Sequence, residues 1–294
     1  MKKALVTLHL AVTLWCSSPV LVSARTPLTN QSQAVLLSQI EKLLVEVARL
    51  QTLLNKQTQT TKLVSNGTYT PYTLVLFPIS FETILPVKNG KLQSLKSTVP
   101  VREVDKQLFE LFVSVVGEEA VAKHVSEWRV FNKPKADMSA FVELIAGTDD
   151  WVVGVNREGF LPNDKLTRRS FTDLYLHEYA HILLFNQSEF ESSYEKRFWT
   201  AADLQQETSL EQSDSKNKFA LMGQYYDENP NRFVSQYATL NPDEDRAETF
   251  VSFVTEPKPL GGTVREQKIL SFYQESVMMT ERKTLRENLL RLGY

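Results

Sequence analysis

His177, Glu178 and His181 sit in the run Leu174-Tyr-Leu-His-Glu-Tyr-Ala-His-Ile-Leu-Leu184. The spacing is H-E-x-x-H. On an α-helix, residues four apart lie one above the other on the same face. Both imidazoles can then reach one metal ion, with the Glu178 carboxylate beside its open side. Two histidines and such a carboxylate suit zinc, with the carboxylate as general base for a water molecule. Leu174, Tyr175, Leu176, Ile182 and Leu183 carry no charge, which predicts a buried helix. Imidazoles and a carboxylate on a buried helix are costly unless they are paired or bind metal. The chain has four histidines, and after His9 near the N-terminus only three remain, two of them here. The plainer alternative is two ordinary histidines on a half-buried helix.

Two ligands do not complete a catalytic zinc site; a third is needed, with one position left for water. The metzincin pattern would need Gly and His at positions held by Leu184 and Gln187, so that branch is excluded. His124 lies upstream, where the pattern places the end of a surface helix. A carboxylate from a later helix is the better candidate. The segment Tyr237-Ala-Thr-Leu-Asn-Pro-Asp-Glu-Asp-Arg-Ala-Glu-Thr-Phe250 offers several. Asn241 as N-cap and Pro242 at the first helical position predict a helix over 243–254, ended by Pro257 and Pro259. Its inward stripe is Ala247, Phe250, Val251 and Val254. Asp245 points away from that stripe. Asp243, Glu244 and Glu248 all stay open, and the first two could simply complement the helix dipole.

H-E-Y-A-H followed by Y-x(6)-E-x-x-A-E-x-F resembles the gluzincins, in particular the lethal-factor-like branch and the exported bacterial zinc metallopeptidases related to it. The resemblance covers residues 170–255, with a fainter echo beyond. It implies Glu244 as third zinc ligand, Tyr237 as the group facing the substrate oxygen, and Glu248 as an outer residue orienting a ligating histidine. It also implies a peptide or protein substrate. Asp245-Arg246 departs from the pattern, where family members often carry apolar or aromatic residues.

The remaining chain must position these groups and give them an address. With 294 residues and 42% hydrophobic content it can bury a sizeable core. A net charge of −2 without basic blocks argues against a nucleic-acid partner. Met1-Lys2-Lys3, the apolar run Ala4–Trp15 and Val22-Ser23-Ala24 read as a secretory signal cleaved after Ala24. An uncleaved signal would instead tether the chain to a membrane, though Ser17, Ser18 and Pro19 interrupt the apolar run. Cys16 is the single cysteine, and Trp15 before it fits a lipidation site poorly. A mature chain without cysteine has no disulfides, which suits a bacterial exported protein, whether secreted, periplasmic or at the cell surface. Leu36, Ile40, Leu43, Val47, Leu50 and Leu54 make a heptad seam over 33–58. That seam reads either as an amphipathic helix lying on the next domain or as a short coiled coil for self-association. The expected domains are a signal at 1–24, a linker and heptad helix at 25–63, and a catalytic domain at 64–294.

Within that last domain, strands are expected at 72–79, 128–131, 141–145 and 151–155, and a helix at 104–116. In zinc peptidases a strand often borders the cleft and pairs with an extended substrate; 151–155 is the candidate. The motif helix is expected to start at Ser170, capped with Asp173 three residues on, and to end near Phe185. Residues 186–227 read as a long polar connection, in which 194–199 is either a wall of the substrate cleft or an amphipathic helix packing Phe198 and Trp199 against the core. Two closing helices follow at 264–279 and 280–292, with Arg282, Lys283 and Arg286 on a solvated face. The reading is an α+β, zincin-like domain behind an N-terminal amphipathic or coiled-coil helix. Its expected function is exported zinc-dependent hydrolysis of peptide bonds with Glu178 as general base. The alternatives are a non-catalytic zincin-fold adaptor at the cell surface and a zinc amidohydrolase acting on a cell-wall component.

Overall fold

In the computed structural model, residues 71–294 are described apart from 73, 75–78, 94–100, 135–137, 146 and 186. The expected signal, the heptad seam, the boundary near 64 and most of the 72–79 strand lie outside the described residues. Asn89 and Gly90, with φ of 52° and 71°, turn the chain between β1 (Thr83–Lys88) and β2 (Lys91–Leu92). An Asn-Gly pair adopts such angles at little cost. The β-branched and aromatic runs that follow form β3 (Val125–Phe131), β4 (Ala140–Leu144) and β5 (Trp151–Asn156). The sheet order is β2-β1-β3-β5-β4. β3 and β5 are parallel, and the other pairs are antiparallel.

Every residue of β5 is buried, as expected for an uninterrupted apolar run in a covered sheet. β3 occupies one side of it and β4 the other. The cleft-strand expectation for 151–155 is therefore corrected: β5 is interior, and β4 ends the sheet on the cleft side. β4 sits close because Gly154 of β5 has no side chain. A Cβ there would lie 2.1 Å from the Phe141 ring.

Among the described residues nine helices accompany the sheet: α1 (Glu103–Val116), α2 (Glu118–His124), α3 (Lys165–Leu184), α4 (Ser188–Phe198), α5 (Ala201–Glu211), α6 (Ser215–Glu228), α7 (Pro242–Thr255), α8 (Val264–Phe272) and α9 (Ser276–Arg291). The fold is thus mixed α+β with a helical majority. α1 packs against both the sheet and α3. Phe112 of α1 stands 5.4 Å from the Trp128 ring of β3 and 5.3 Å from the Tyr175 ring of α3, all three fully buried. Each such side chain contributes about 1.5–3 kcal/mol through burial. The Tyr175 hydroxyl keeps its hydrogen bond by donating to the Leu108 carbonyl at 3.1 Å.

Three expected boundaries move. α3 starts five residues before Ser170, because Asp164 caps it by accepting from the Leu166 N–H at 2.8 Å. Ser170 lies inside the helix and donates to the Leu166 carbonyl at 3.1 Å. The supposed connection 186–227 holds α4, α5 and most of α6. Most of its polar residues face solvent, while Tyr194, Phe198, Trp199, Leu210 and Met222 are buried, together with Asp203, which is held by Tyr225 and Arg232. The closing helices break at 273–275 rather than at 279.

The face expected to be solvated also differs. Arg282 donates to the carbonyls of Phe253 at 2.6 Å and Glu256 at 3.0 Å. Arg286 donates to those of Val254 at 2.7 Å and Thr255 at 3.4 Å. These are final-turn carbonyls of α7, which have no intrahelical partner. Lys283 remains exposed.

Candidate metal centre

α3 and α7 pack against each other, and the site lies where they meet. From Phe171 onward α3 is buried nearly all round. His177 and Glu178 therefore have little water, at 7% and 5% exposed, while the His181 side chain is partly open. α7 begins where Asn241 accepts from the Glu244 N–H at 2.9 Å. That cap sets Glu244 in the first turn, where the helix dipole favours a negative charge. The far face of α7 is held by a buried network. Asp245 Oδ2 accepts from Trp199 Nε1 at 2.8 Å and from the Tyr194 hydroxyl at 3.2 Å, and Lys268 Nζ lies 2.7 Å away. Asp245 thus points away from the motif helix, as its helical phase requires, but into a second buried layer.

The result is a tight meeting of three atoms. His177 Nε2 and His181 Nε2 are 3.1 Å apart, and Glu244 Oε2 lies 3.0 Å from the first and 3.3 Å from the second. Two donors about 2.0–2.1 Å from one tetrahedral ion stand about 3.3 Å apart, so the triangle has the size zinc requires. Among the described residues this is the group of His, Cys, Asp and Glu whose donor atoms converge. His124, at the end of α2, is not part of it.

The other ring nitrogen strengthens the case. His177 Nδ1 lies 2.7 Å from Glu248 Oε1. A proton on Nδ1, donated to that carboxylate, leaves a lone pair on Nε2 facing the shared point. Glu244 Oε2 is buried and, despite both close imidazoles, forms no aligned hydrogen bond. Lone pairs packed this closely repel unless a cation or a proton stands among them. Burial acts to lower the His177 pKa, but Glu244 and Glu248 outweigh it and hold the metal-free group up at about 10. Burial acts to raise Glu244, and the two imidazoles overcome it and hold that carboxyl down at about 2. Burial likewise opposes ionisation of Glu248, and its bond to His177 reverses the effect, leaving it below its usual value. The residues present fit a divalent cation.

Glu178 does not share the triangle. Burial raises its pKa, and the nearby imidazoles only partly offset this. A carboxyl moved toward neutrality is suited to accept and return a proton. The Tyr237 ring lies 5.7 Å from the His177 ring, in the single helical turn Tyr237–Thr239 that precedes α7. Burial, then Glu244, Glu178 and Glu248, push its hydroxyl pKa far up, so it remains a proton donor. At 38% exposure it also faces open space.

Two cavities share His177, Glu178 and Tyr237 in their walls. One, of about 430 Å³, continues past His181 and Glu244 along β4 to Trp151 and Phe185. The other, of about 820 Å³, runs past Glu248 to Asp173, Asn156 and Phe219. Together they form a cleft with the candidate metal point between them. All six residues singled out in the sequence meet at this place. The reading missed the β4 wall and Arg246, which also lines the smaller cavity. The departure of Asp245-Arg246 from the family pattern was the one available signal for Arg246.

No protein-family model matches the chain, and no curated protein matches it in sequence. Among solved structures it matches one described as "a putative zinc-binding metallo-peptidase from Bacteroides caccae ATCC 43185", at 17% identity, covering 64% of this chain and 73% of that one, with a TM-score of 0.37. At that distance the likeness assigns no activity to this chain.

Proposed function

We propose that this protein is a zinc-dependent peptidase whose ion is held by His177, His181 and Glu244. The observation that carries the reading is the meeting of these three donor atoms at 3.0–3.3 Å with Glu178 buried beside them. Zinc bound there would supply Lewis acidity and bring the pKa of a water molecule toward neutrality. Glu178 takes the proton from the attacking water and later delivers it to the leaving amine. Tyr237 donates its hydroxyl proton in a hydrogen bond to the carbonyl oxygen as negative charge grows on it. Glu248 holds the His177 ring in the tautomer and orientation that ligation needs. The walls of β4 and α3 border the cleft and would align an extended chain.

The address follows from residues 1–24, which read as an export signal, and the heptad seam at 33–58 is proposed to tether or pair the chain. The catalytic domain is proposed to span 64–294. No helix among the described residues is long and apolar enough to cross a membrane.

The test compares zinc content and peptide cleavage in the wild-type chain and in Glu178→Gln. The expected result is one zinc per chain in both and cleavage only in the wild type. Full activity in Glu178→Gln, or a purified chain that takes up no zinc, overturns the reading.

A further inference from the structure

The turn that carries Tyr237 is fastened on both of its sides. Just upstream, Phe233 is fully buried, its ring 6.0 Å from that of Trp199 and its face 4.0 Å from Lys268 Nζ. Two residues on, the Ser235 hydroxyl oxygen accepts from the Ala238 N–H at 3.1 Å, where the turn begins. The same hydroxyl donates its proton to the Glu248 carboxylate. On the outer side, Gln236 Nε2 donates to the Phe219 carbonyl of α6 at 2.8 Å. Gly223 of α6 leaves room for that arm, since a Cβ there would lie 3.2 Å from Nε2.

Ser235 therefore joins two parts of the site that different stretches of chain supply. A hydroxyl has one proton to give and accepts through its lone pairs. With the Ala238 N–H on the accepting side, the proton has a defined direction, toward Glu248. Glu248 Oε1 in turn lies 2.7 Å from His177 Nδ1. The relay runs from the Ala238 N–H through Ser235 and Glu248 to the ring whose Nε2 faces the shared point. A carboxylate orients a ligating imidazole only as well as it is itself held. We propose that Ser235 is a positioning residue: it fixes the Glu248 carboxylate on His177 Nδ1 and, through the same oxygen, locks the Tyr237 turn to that ligand. The inference rests on the zinc reading and deepens it, through a residue that lines neither cavity.

The test does not depend on turnover. Zinc affinity of the full chain is measured at one pH by competition with a chromophoric chelator, beside the melting temperature of the metal-free chain. Ser235→Ala should weaken zinc about 5- to 30-fold, somewhat less than the loss of Glu248 itself. Ser235→Thr keeps the hydroxyl and should recover most of the affinity, whereas Ser235→Cys, a weak donor, should not. In a Glu248→Gln background, Ser235→Ala should cost no more than about a further twofold, because the two residues act as one unit. Gln236→Leu frees the turn from outside without touching Glu248 and should leave zinc affinity within about twofold of the parent. With 3-fluorotyrosine placed at position 237, the fluorine NMR signal should be single in the parent and broadened or split in Ser235→Ala.

A Ser235→Ala chain that keeps its melting temperature and binds zinc within about twofold of its parent overturns the proposal. So does full addition of the two losses in the Glu248→Gln background. Gln236→Leu weakening zinc as much as Ser235→Ala would make the effect a general loosening of the turn and overturn the relay. An unaltered fluorine signal in Ser235→Ala overturns the link to Tyr237. Should Ser235→Ala fail to fold, Ser235→Cys takes its place, and full zinc affinity there overturns the proposal. A parent chain that binds no zinc defeats the metal reading itself, and this inference with it.

Discussion

Zinc entering this site must displace a proton. In the metal-free chain, Glu244 and Glu248 hold His177 at about 10 against the effect of burial. Glu244 is held at about 2 by the two imidazoles. At pH 7 the triangle therefore carries one proton that a cation cannot share, because ligation needs the Nε2 lone pair. Linkage gives the magnitude: one proton released is worth about 1.4 kcal/mol, or about tenfold in affinity, per pH unit. Zinc affinity should rise about tenfold per unit from about pH 7 to 9 and flatten above about 10. Calorimetric titrations in buffers of different ionisation heat count the proton directly, and about one should appear near pH 7.5. A pH-independent affinity with no proton released would refute the reasoning, because the close lone pairs would then have been relieved in some other way. The same linkage fixes the sign for stability without metal. The raised His177 contributes fully below its ordinary 6.5 and is lost as pH climbs through about 10. The depressed Glu244 contributes above its ordinary 4.5 and is lost as pH falls toward 2. The metal-free chain should therefore be most stable between these ordinary values, and zinc should move the optimum upward. Glu248→Gln, which removes the carboxylate on Nδ1, should lower zinc affinity about 10- to 100-fold.

Tyr237→Phe should keep zinc and KM and lower kcat about 100- to 1000-fold, the usual loss for one oxyanion donor; steady-state kinetics on a cleaved peptide show it. Lys268→Met leaves the fully buried Asp245 without its cation, and chemical denaturation should show a loss of about 3–5 kcal/mol. The double variant with Asp245→Asn should recover most of that loss, and no recovery would mean that packing rather than charge is at stake. Arg286→Met uncaps two α7 carbonyls on a part-buried surface and should cost about 1 kcal/mol, read as a fall in melting temperature with zinc stoichiometry unchanged.

How much of this was legible follows from where each signal lives. H-E-x-x-H reads locally, because one helix turn places both imidazoles on the same face. The start of α7 also reads locally, through Asn241 and Pro242. Choosing Glu244 over Asp243 and Glu248 did not, since helical phase left all three near the inward stripe. It took a resemblance to single one out, and the structure then gave each a different setting: Glu244 at the imidazole nitrogens, Glu248 on Nδ1, Asp243 on Arg246. α5 and α6 announce themselves with caps, Thr200 with Asp203 and Asp214 with the Asn217 N–H, but polar composition argued for a loop. Nothing in the sequence sets Lys268 apart. Only the packing of α8 on α7 shows it fully buried against Asp245. Arg282 and Arg286 were misread for the same reason: a charge on a helix says nothing about which distant carbonyls need donors.

The ligand set is also split along the chain, with His177 and Glu244 lying 67 positions apart (244 − 177). A cation joining them ties a closed loop of that length in a protein whose only cysteine, Cys16, has no second cysteine to pair with. By the loop-closure estimate for a permanent cross-link, such a tie removes about 4 kcal/mol of freedom from the unfolded chain. A chelator would then do more than silence catalysis. If the proposed ion is bound, removing it would also untie a staple between two helices distant in the chain, so the zinc-free protein would be looser as well as inactive.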